Sequence, residues 1–263
     1  MDNALIGFTG FVGTTLQKQA TFNALFRSTN IDQIRGRPFD TVVCAGAPAQ
    51  KWIANKEPEQ DRNNIDQLIA HLGTVTCRQF ILISTVDVFK DPVGVDEATP
   101  VDQTQLHAYG LNRRRLEEFV EKRFPQHLIV RLPGLVGTGL RKNVIYDFLH
   151  DNNLKAIESR GVFQFYPMAN LWFDIQIAVT RGLKLVHLTA APVSVAEISE
   201  AGFGKPFTNH TANTPGNYDM RTRHAEAFGG RGHYQYSVRE TIQAVRAYAQ
   251  SEPTAAGAGR ATP

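Results

Sequence analysis

Apolar runs of strand length alternate with helix-period segments along most of the chain. Short β-rich runs at 4–8, 24–26, 41–45, 79–84, 128–132 and 185–188 are separated by stretches whose apolar residues recur every three or four positions. The clearest of these lie at 57–72, 106–124, 143–151 and 171–182. That alternation predicts an α/β fold, a parallel sheet with helices on both faces. From about 203 to 236 the chain is rich in Gly, Asn, Thr and Arg and loses its period, which predicts a loop-rich region. Residues 251–263 carry almost no large apolar side chains, cannot bury enough surface to offset ordering, and read as a flexible tail.

Composition narrows the classes. With 263 residues, 42% hydrophobic and 20% charged, the chain is long enough for a full core and at most two lobes. Its 28 Lys and Arg stand interspersed with 25 Asp and Glu, giving +3 without a basic block, which argues against nucleic-acid binding. The longest apolar runs, such as Phe-Ile-Leu-Ile at 80–83, have strand length, and the first residues lack the pattern of a signal peptide. The expectation is a cytoplasmic protein without a membrane span. Cys44 and Cys77 form no CxxC pair, and the eight histidines show no ligand spacing, so free buried thiols and no metal site are expected.

The first candidate site follows the first strand directly. Gly7, Gly10, Phe11, Val12 and Gly13 lie where a strand turns into an amphipathic helix. Glycines there permit a tight turn and let backbone N–H groups approach a pyrophosphate, to which the helix N-terminus adds partial positive charge. This predicts a Rossmann-type, doubly wound parallel sheet binding a dinucleotide. The second strand ends before Arg27 and Ser28, with no acid for a free ribose 2′-hydroxyl, and Arg27 tilts the choice to NADP over NAD.

Two further pieces carry the chemistry: Ser84-Thr85-Val86-Asp87-Val88-Phe89 after the fourth main strand, and Tyr109-Gly110-Leu111-Asn112-Arg113 opening a helix. Together with the glycine loop, Ala45-Gly46-Ala47 after the third main strand, Asn63 or Asn64 in the next helix, and the run from Arg131 through Pro133 to Gly139, they resemble the extended short-chain dehydrogenase/reductase family. The likeness is to its NAD(P)-dependent epimerase/dehydratase branch, over roughly residues 3 to 200. The resemblance implies cofactor contacts from Gly7, Gly10, Phe11, Val12, Gly13, Arg27, Ser28, Ala45, Gly46, Ala47 and Pro133. It implies chemistry from Thr85 and Tyr109, and a homodimer paired through helices that include the Tyr-bearing one.

The family's YxxxK motif has Arg113 in place of lysine here. A phenol with an ordinary pKa near 10 needs a fixed cation to act as a base. Helical spacing puts Tyr109, Arg113, Leu116 and Val120 on one face, with Arg114 and Arg115 turning away, so Arg113 is expected to point inward as that cation. Val86 stands where the branch's dehydratases carry an acid, which disfavours elimination. Asp87 orients substrate or acts as a local cap, and Lys142 with Asn143 forms an anion site at a helix start or an exposed helix end. Lys51 and Trp52 lie near the nicotinamide pocket, or Trp52 packs in the core. Arg221, Arg223, His224 and Arg231 form a phosphate clamp or a set of exposed charges.

The domain expectation is a Rossmann unit at 1–140 and about 162–192, a small C-terminal substrate-binding lobe at about 141–161 and 193–250, and the tail. The implied activity is reduction or epimerisation of a sugar nucleotide or related keto or hydroxy metabolite, with substrate identity unreadable. The competing reading is a non-catalytic or weakly catalytic NADP-binding sensor, which the lysine-to-arginine exchange keeps open.

Overall fold

The computed structural model describes residues 2–253, so the expected tail lies, from 254 onward, outside the described residues. Within that span the chain divides into two compact units, one of residues 2–92, 96–132 and 170–188, the other of 93–95, 133–169 and 189–253. Residues 93–95, 133–140, 162–169 and 189–192, assigned to the first unit from sequence, belong to the second, where strand Gly134–Val136 pairs in parallel with Phe165–Pro167.

The first unit is built on β1 (Asn3–Ile6), β2 (Ala24–Phe26), β3 (Pro38–Cys44), β4 (Thr76–Thr85), β5 (His127–Leu132) and β6 (Leu185–His187). They form one six-stranded sheet in the order β6-β5-β4-β3-β1-β2, every pair parallel. Residues 80–84 of β4 are all buried, the unbroken burial of a strand covered on both faces. The flanking helices are α1 (Phe11–Gln19), α2 (Lys51–Lys56), α3 (Pro58–Leu72), α4 (Ala108–Arg123) and α5 (Leu171–Thr180).

One difference from the sequence pattern has a local cause. Strand β1 stops at Ile6 instead of running to Phe8, because Gly7 takes φ +83°, a left-handed conformation that ends extended chain. Residues 27–37 hold only the 3₁₀ turn Ile31–Ile34, so no strand lies outside β2.

The core joins β1, β3 and β4 to α3 and α4 through Ile6, Val42, Ile65, Leu72, Phe80, Leu116 and Val120. Phe80 stacks on Phe124 at 4.1 Å, and each such buried side chain contributes about 1.5–3 kcal/mol. A charged group is embedded beside this core. Glu117 of α4, fully buried, accepts from Ser84 Oγ at 2.6 Å, Arg131 Nε at 2.9 Å, Arg131 Nη2 at 2.7 Å and Arg114 Nη1 at 3.0 Å. Burial would raise its pKa, but the Arg131 bonds and charge, with the bonds from Ser84 and Arg114, hold the carboxyl below its ordinary range. Both cysteines are free; Cys44 is buried, its thiol pushed up to about 11, while Cys77 is only half-buried.

In the second unit, buried Gln164 donates to Thr189 Oγ1 at 2.9 Å, Ala190 O at 2.7 Å and Met220 O at 2.9 Å, and accepts from Met220 N at 2.7 Å, so one amide ties three segments together. Residues 203–236 are largely irregular, as their composition predicts. They are followed by helix Val238–Ser251, which the periodicity reading omitted and which a Ser237/Glu240 capping box starts. Among the described residues no helix is long and apolar enough to cross a membrane.

Candidate active site

Strand order reverses direction between β1 and β3, where Ile6 and Cys44 lie in register, so the loops after these strands leave the sheet side by side. Doubly wound sheets bind ligands at such a reversal. The glycines make the crossing compact. A Cβ on Gly7 would collide with the Ala45 carbonyl, and one on Gly13 with the Gly7 carbonyl. Gly46 lies against β1, its would-be Cβ 2.8 Å from Ile6 Cγ2, and Ala47 packs on the core. At Gly10 an added Cβ would meet only Gly7 O, at 3.4 Å.

The chemistry-bearing residues come from the same edge. Thr85 ends β4, and its hydroxyl accepts from Asp87 N at 3.2 Å and lies 3.5 Å from Asp87 Oδ2. Helix α4 is docked against this turn at Gly110, where a Cβ would collide with the Asp87 carbonyl. Its N-cap is His107, whose Nδ1 accepts from Gly110 N at 3.0 Å. Tyr109 is buried; its N–H donates to Asn55 Oδ1 at 3.0 Å, and its ring lies under the Arg113 guanidinium, 3.9 Å from centroid to Cζ. Burial raises the phenol pKa above its ordinary value; Arg113, the Thr85 hydroxyl and Lys51 oppose that, while Asp87 adds to it.

Arg113 points inward, as its helical position predicts, and is 3% exposed. It donates through Nη1 to Asp61 Oδ2 and to Tyr109 O, and through Nη2 to Pro48 O. Asn112 Nδ2 donates to the same Asp61 oxygen at 2.8 Å. Arg114 and Arg115 turn away to Glu121 and Asp66. The α3 residue that Arg113 meets is Asp61, while Asn63 is exposed and Asn64 accepts from Gln60.

Three features fit a bound dinucleotide. No side-chain oxygen caps the first turn of α1, the loop is open at Gly10, and the buried Arg113 Nε has no hydrogen-bond partner among the described residues. Phe11 and Val12 form the first turn of α1, so their N–H groups belong to that uncapped end. Beyond β2, Arg27 N donates to Asn30 Oδ1 at 2.7 Å and Arg27 Nε to Thr29 Oγ1 at 2.9 Å, and both Arg27 and Ser28 are exposed.

Other expectations come out differently. Asn143 is a cap: its Oδ1 accepts from Ile145 N at 3.0 Å and Tyr146 N at 3.4 Å, taking the N–H groups that an anion would have needed. Pro133 and Lys142 lie in the second unit. Trp52 is 69% exposed, which removes it from the core. Arg221 gives Nε and Nη2 to Asp219 Oδ2 at 2.9 and 2.7 Å, an ion pair where a phosphate clamp was one of two readings. Lys51, unassigned to any role from sequence, donates to Asp87 Oδ1 at 2.7 Å. Its spacing of four from Asn55, which accepts from Tyr109 N, puts both on the face of α2 that meets the site.

The fold class is thus the doubly wound α/β sheet of Rossmann type. No family model matches the sequence, and no curated protein matches it. Solved structures match the fold over nearly the whole chain. A dTDP-4-dehydrorhamnose reductase from Clostridium acetobutylicum is similar with TM-score 0.70 and 18% identity, over 95% of this chain and 99% of that one. The enzyme of that name from Bacillus anthracis, in complex with NADP, is similar with TM-score 0.69 and 17% identity over 95% and 98%. A UDP-glucose 4-epimerase from Thermotoga maritima, with UDP-glucose, gives TM-score 0.69 and 14% identity over 95% and 98%.

Proposed function

We propose that the protein is an NAD(P)-dependent oxidoreductase or epimerase of the extended short-chain dehydrogenase/reductase type, acting on a sugar nucleotide or a related keto or hydroxy metabolite. The observation that carries this is the convergence of Thr85, Tyr109 and Arg113 at the sheet edge that also bears the Gly7–Gly13 loop. The solved neighbours named for such reactions, one holding NADP and one UDP-glucose, support it.

A bound nicotinamide would supply or accept the hydride. The N-terminus of α1 and Gly10 would hold the pyrophosphate, with Ala45, Gly46 and Ala47 lining the neighbouring loop. Arg113 Nε is the donor for a ribose hydroxyl, and Arg27 with Ser28 favours the 2′-phosphate of NADP. In reduction Tyr109 gives its phenolic proton to the substrate carbonyl oxygen, while the Thr85 hydroxyl donates a hydrogen bond to that oxygen. A phenol raised by burial keeps its proton until this transfer. The guanidinium over the ring then stabilises the phenolate that remains.

The second reading, an NADP-binding sensor, is favoured by one observation: the Arg113 charge is engaged by Asp61. Calorimetric titration with NADP, NADPH, NAD and NADH, repeated on Arg27→Ala, tests the cofactor. Consumption of NADPH with a panel of nucleoside-diphosphate keto-sugars, and interconversion of hydroxyl epimers, tests the activity. Binding that weakens with Arg27→Ala, plus turnover absent in Tyr109→Phe, supports the enzyme. Binding without turnover supports the sensor, and no binding of any cofactor overturns both.

A further inference from the structure

We infer that Lys51 is a positioning residue of this site, held by Asp87 so that its ammonium cancels the carboxylate beside Tyr109, a charge that Arg113, bound to Asp61, does not offset.

The inference rests on the proposed function and deepens it. Lys51 reaches the site from α2, Thr85 and Asp87 from the turn after β4, and His107 and Arg113 from α4, with Asp61 of α3 behind Arg113. Asp87 bridges the group: one carboxylate oxygen takes the Lys51 ammonium at 2.7 Å, and the other lies 3.5 Å from the Thr85 hydroxyl. Gly110 seats the first turn of α4 on the Asp87 backbone, so the turn that carries the carboxylate and the helix that carries the phenol are packed directly together.

An uncompensated carboxylate there would repel the phenolate formed when Tyr109 gives up its proton. Arg113 cannot offset two anions, and Asp61 already holds it. Lys51 makes the Asp87 side neutral. With side-chain exposures of 39% for Lys51 and 16% for Asp87, the pair lies at the solvent-facing border of the site.

Lys51→Met and Lys51→Arg, made in the full chain, test this with two readouts. His107 is the first, because it borders the same charges: burial and then the Lys51 charge hold its pKa below the ordinary value, and Asp87 opposes them. Titration of its ring proton by NMR, assigned with His107→Asn, should show the midpoint rising by about half a unit or more in Lys51→Met. It should stay near wild type in Lys51→Arg and return toward it in Lys51→Met with Asp87→Asn.

The second readout is NADPH-dependent reduction of whichever keto-sugar nucleotide the wild type accepts. Here kcat should fall about tenfold or more in Lys51→Met, with KM changed less than about threefold, and should recover in Lys51→Arg. An unshifted His107 midpoint, or an unchanged kcat and pH profile in an active enzyme, overturns the inference. A wild type that turns over nothing sinks the proposed function instead, and the His107 midpoint alone then decides whether the Lys51 charge acts at this site.

Discussion

Helix α4 carries two carboxylate–arginine clusters one turn apart, at Arg113 and at Glu117, and they are built differently. Around Glu117 each carboxylate oxygen is taken, with Ser84, Arg131 and Arg114 all donating. Around Arg113 the guanidinium reaches Asp61, the Pro48 carbonyl and the Tyr109 carbonyl, yet Nε is left buried without a partner among the described residues. The closed network gains nothing from a ligand, whereas a buried orphan donor is a standing penalty that a bound acceptor removes. Closure fits a support for the sheet, and the open donor fits the cofactor site proposed above.

The sharpest way to break this contrast is at Glu117. Glu117→Gln leaves buried Arg131 without its counter-charge, while Arg114 keeps Glu121, and should destabilise the protein by about 3–5 kcal/mol in urea unfolding, while the folded fraction binds cofactor as before. Tyr109→Phe should do the reverse, lowering turnover about a hundredfold or more with unfolding midpoints almost unchanged. Arg113→Leu should fall between. Asp61 loses its counter-charge and keeps only the Asn112 bond, so some stability is lost, but the distinguishing effect is a loss of about tenfold or more in cofactor affinity by calorimetry. If Glu117→Gln weakened the cofactor as much as Arg113→Leu, the two clusters would not be functionally distinct.

The smallest effect sharpens the boundary at His107. Burial, followed by Lys51 and Arg113, lowers its folded pKa, so the unfolded chain binds the proton more readily. Its contribution to stability is therefore fully present above the unfolded value near 6.5 and is lost as pH falls from there toward the folded pKa. Protonation also takes Nδ1 away from Gly110 N. His107→Asn, which caps without titrating, should flatten the stability profile in that window relative to wild type. His71, lowered in the same direction, is present in both proteins and cancels from the difference.

What the sequence made legible was whatever depends on neighbours a turn apart. The inward aim of Arg113 followed from its spacing to Tyr109, Leu116 and Val120, and the strand–glycine–helix order from composition alone. What Arg113 meets was not legible, because Asp61 and Pro48 come from distant positions whose contact depends on how α2 and α3 pack. Lys51 was flagged only for its place after β3; its pairing with Asp87 is a tertiary fact. Asn143 misled because an asparagine before a helix signals a cap and an anion site equally well, and only the Oδ1 bonds decide. The pattern of apolar residues also placed no strand between β2 and β3, and residues 27–37 hold only a 3₁₀ turn.

That last feature bears on how the protein behaves in a crowded solution. Among the described residues no strand lies outside β2, so the sheet ends on one side at three residues, Ala24–Phe26, and on the other at the three of Leu185–His187. The ten-residue β4 lies in the interior of the sheet. Unpaired backbone along a sheet margin is a template on which another chain can add a strand, and its reach grows with its length. Margins this short offer few such groups in a row, so the long apolar strand is shielded from intermolecular pairing by its position alone.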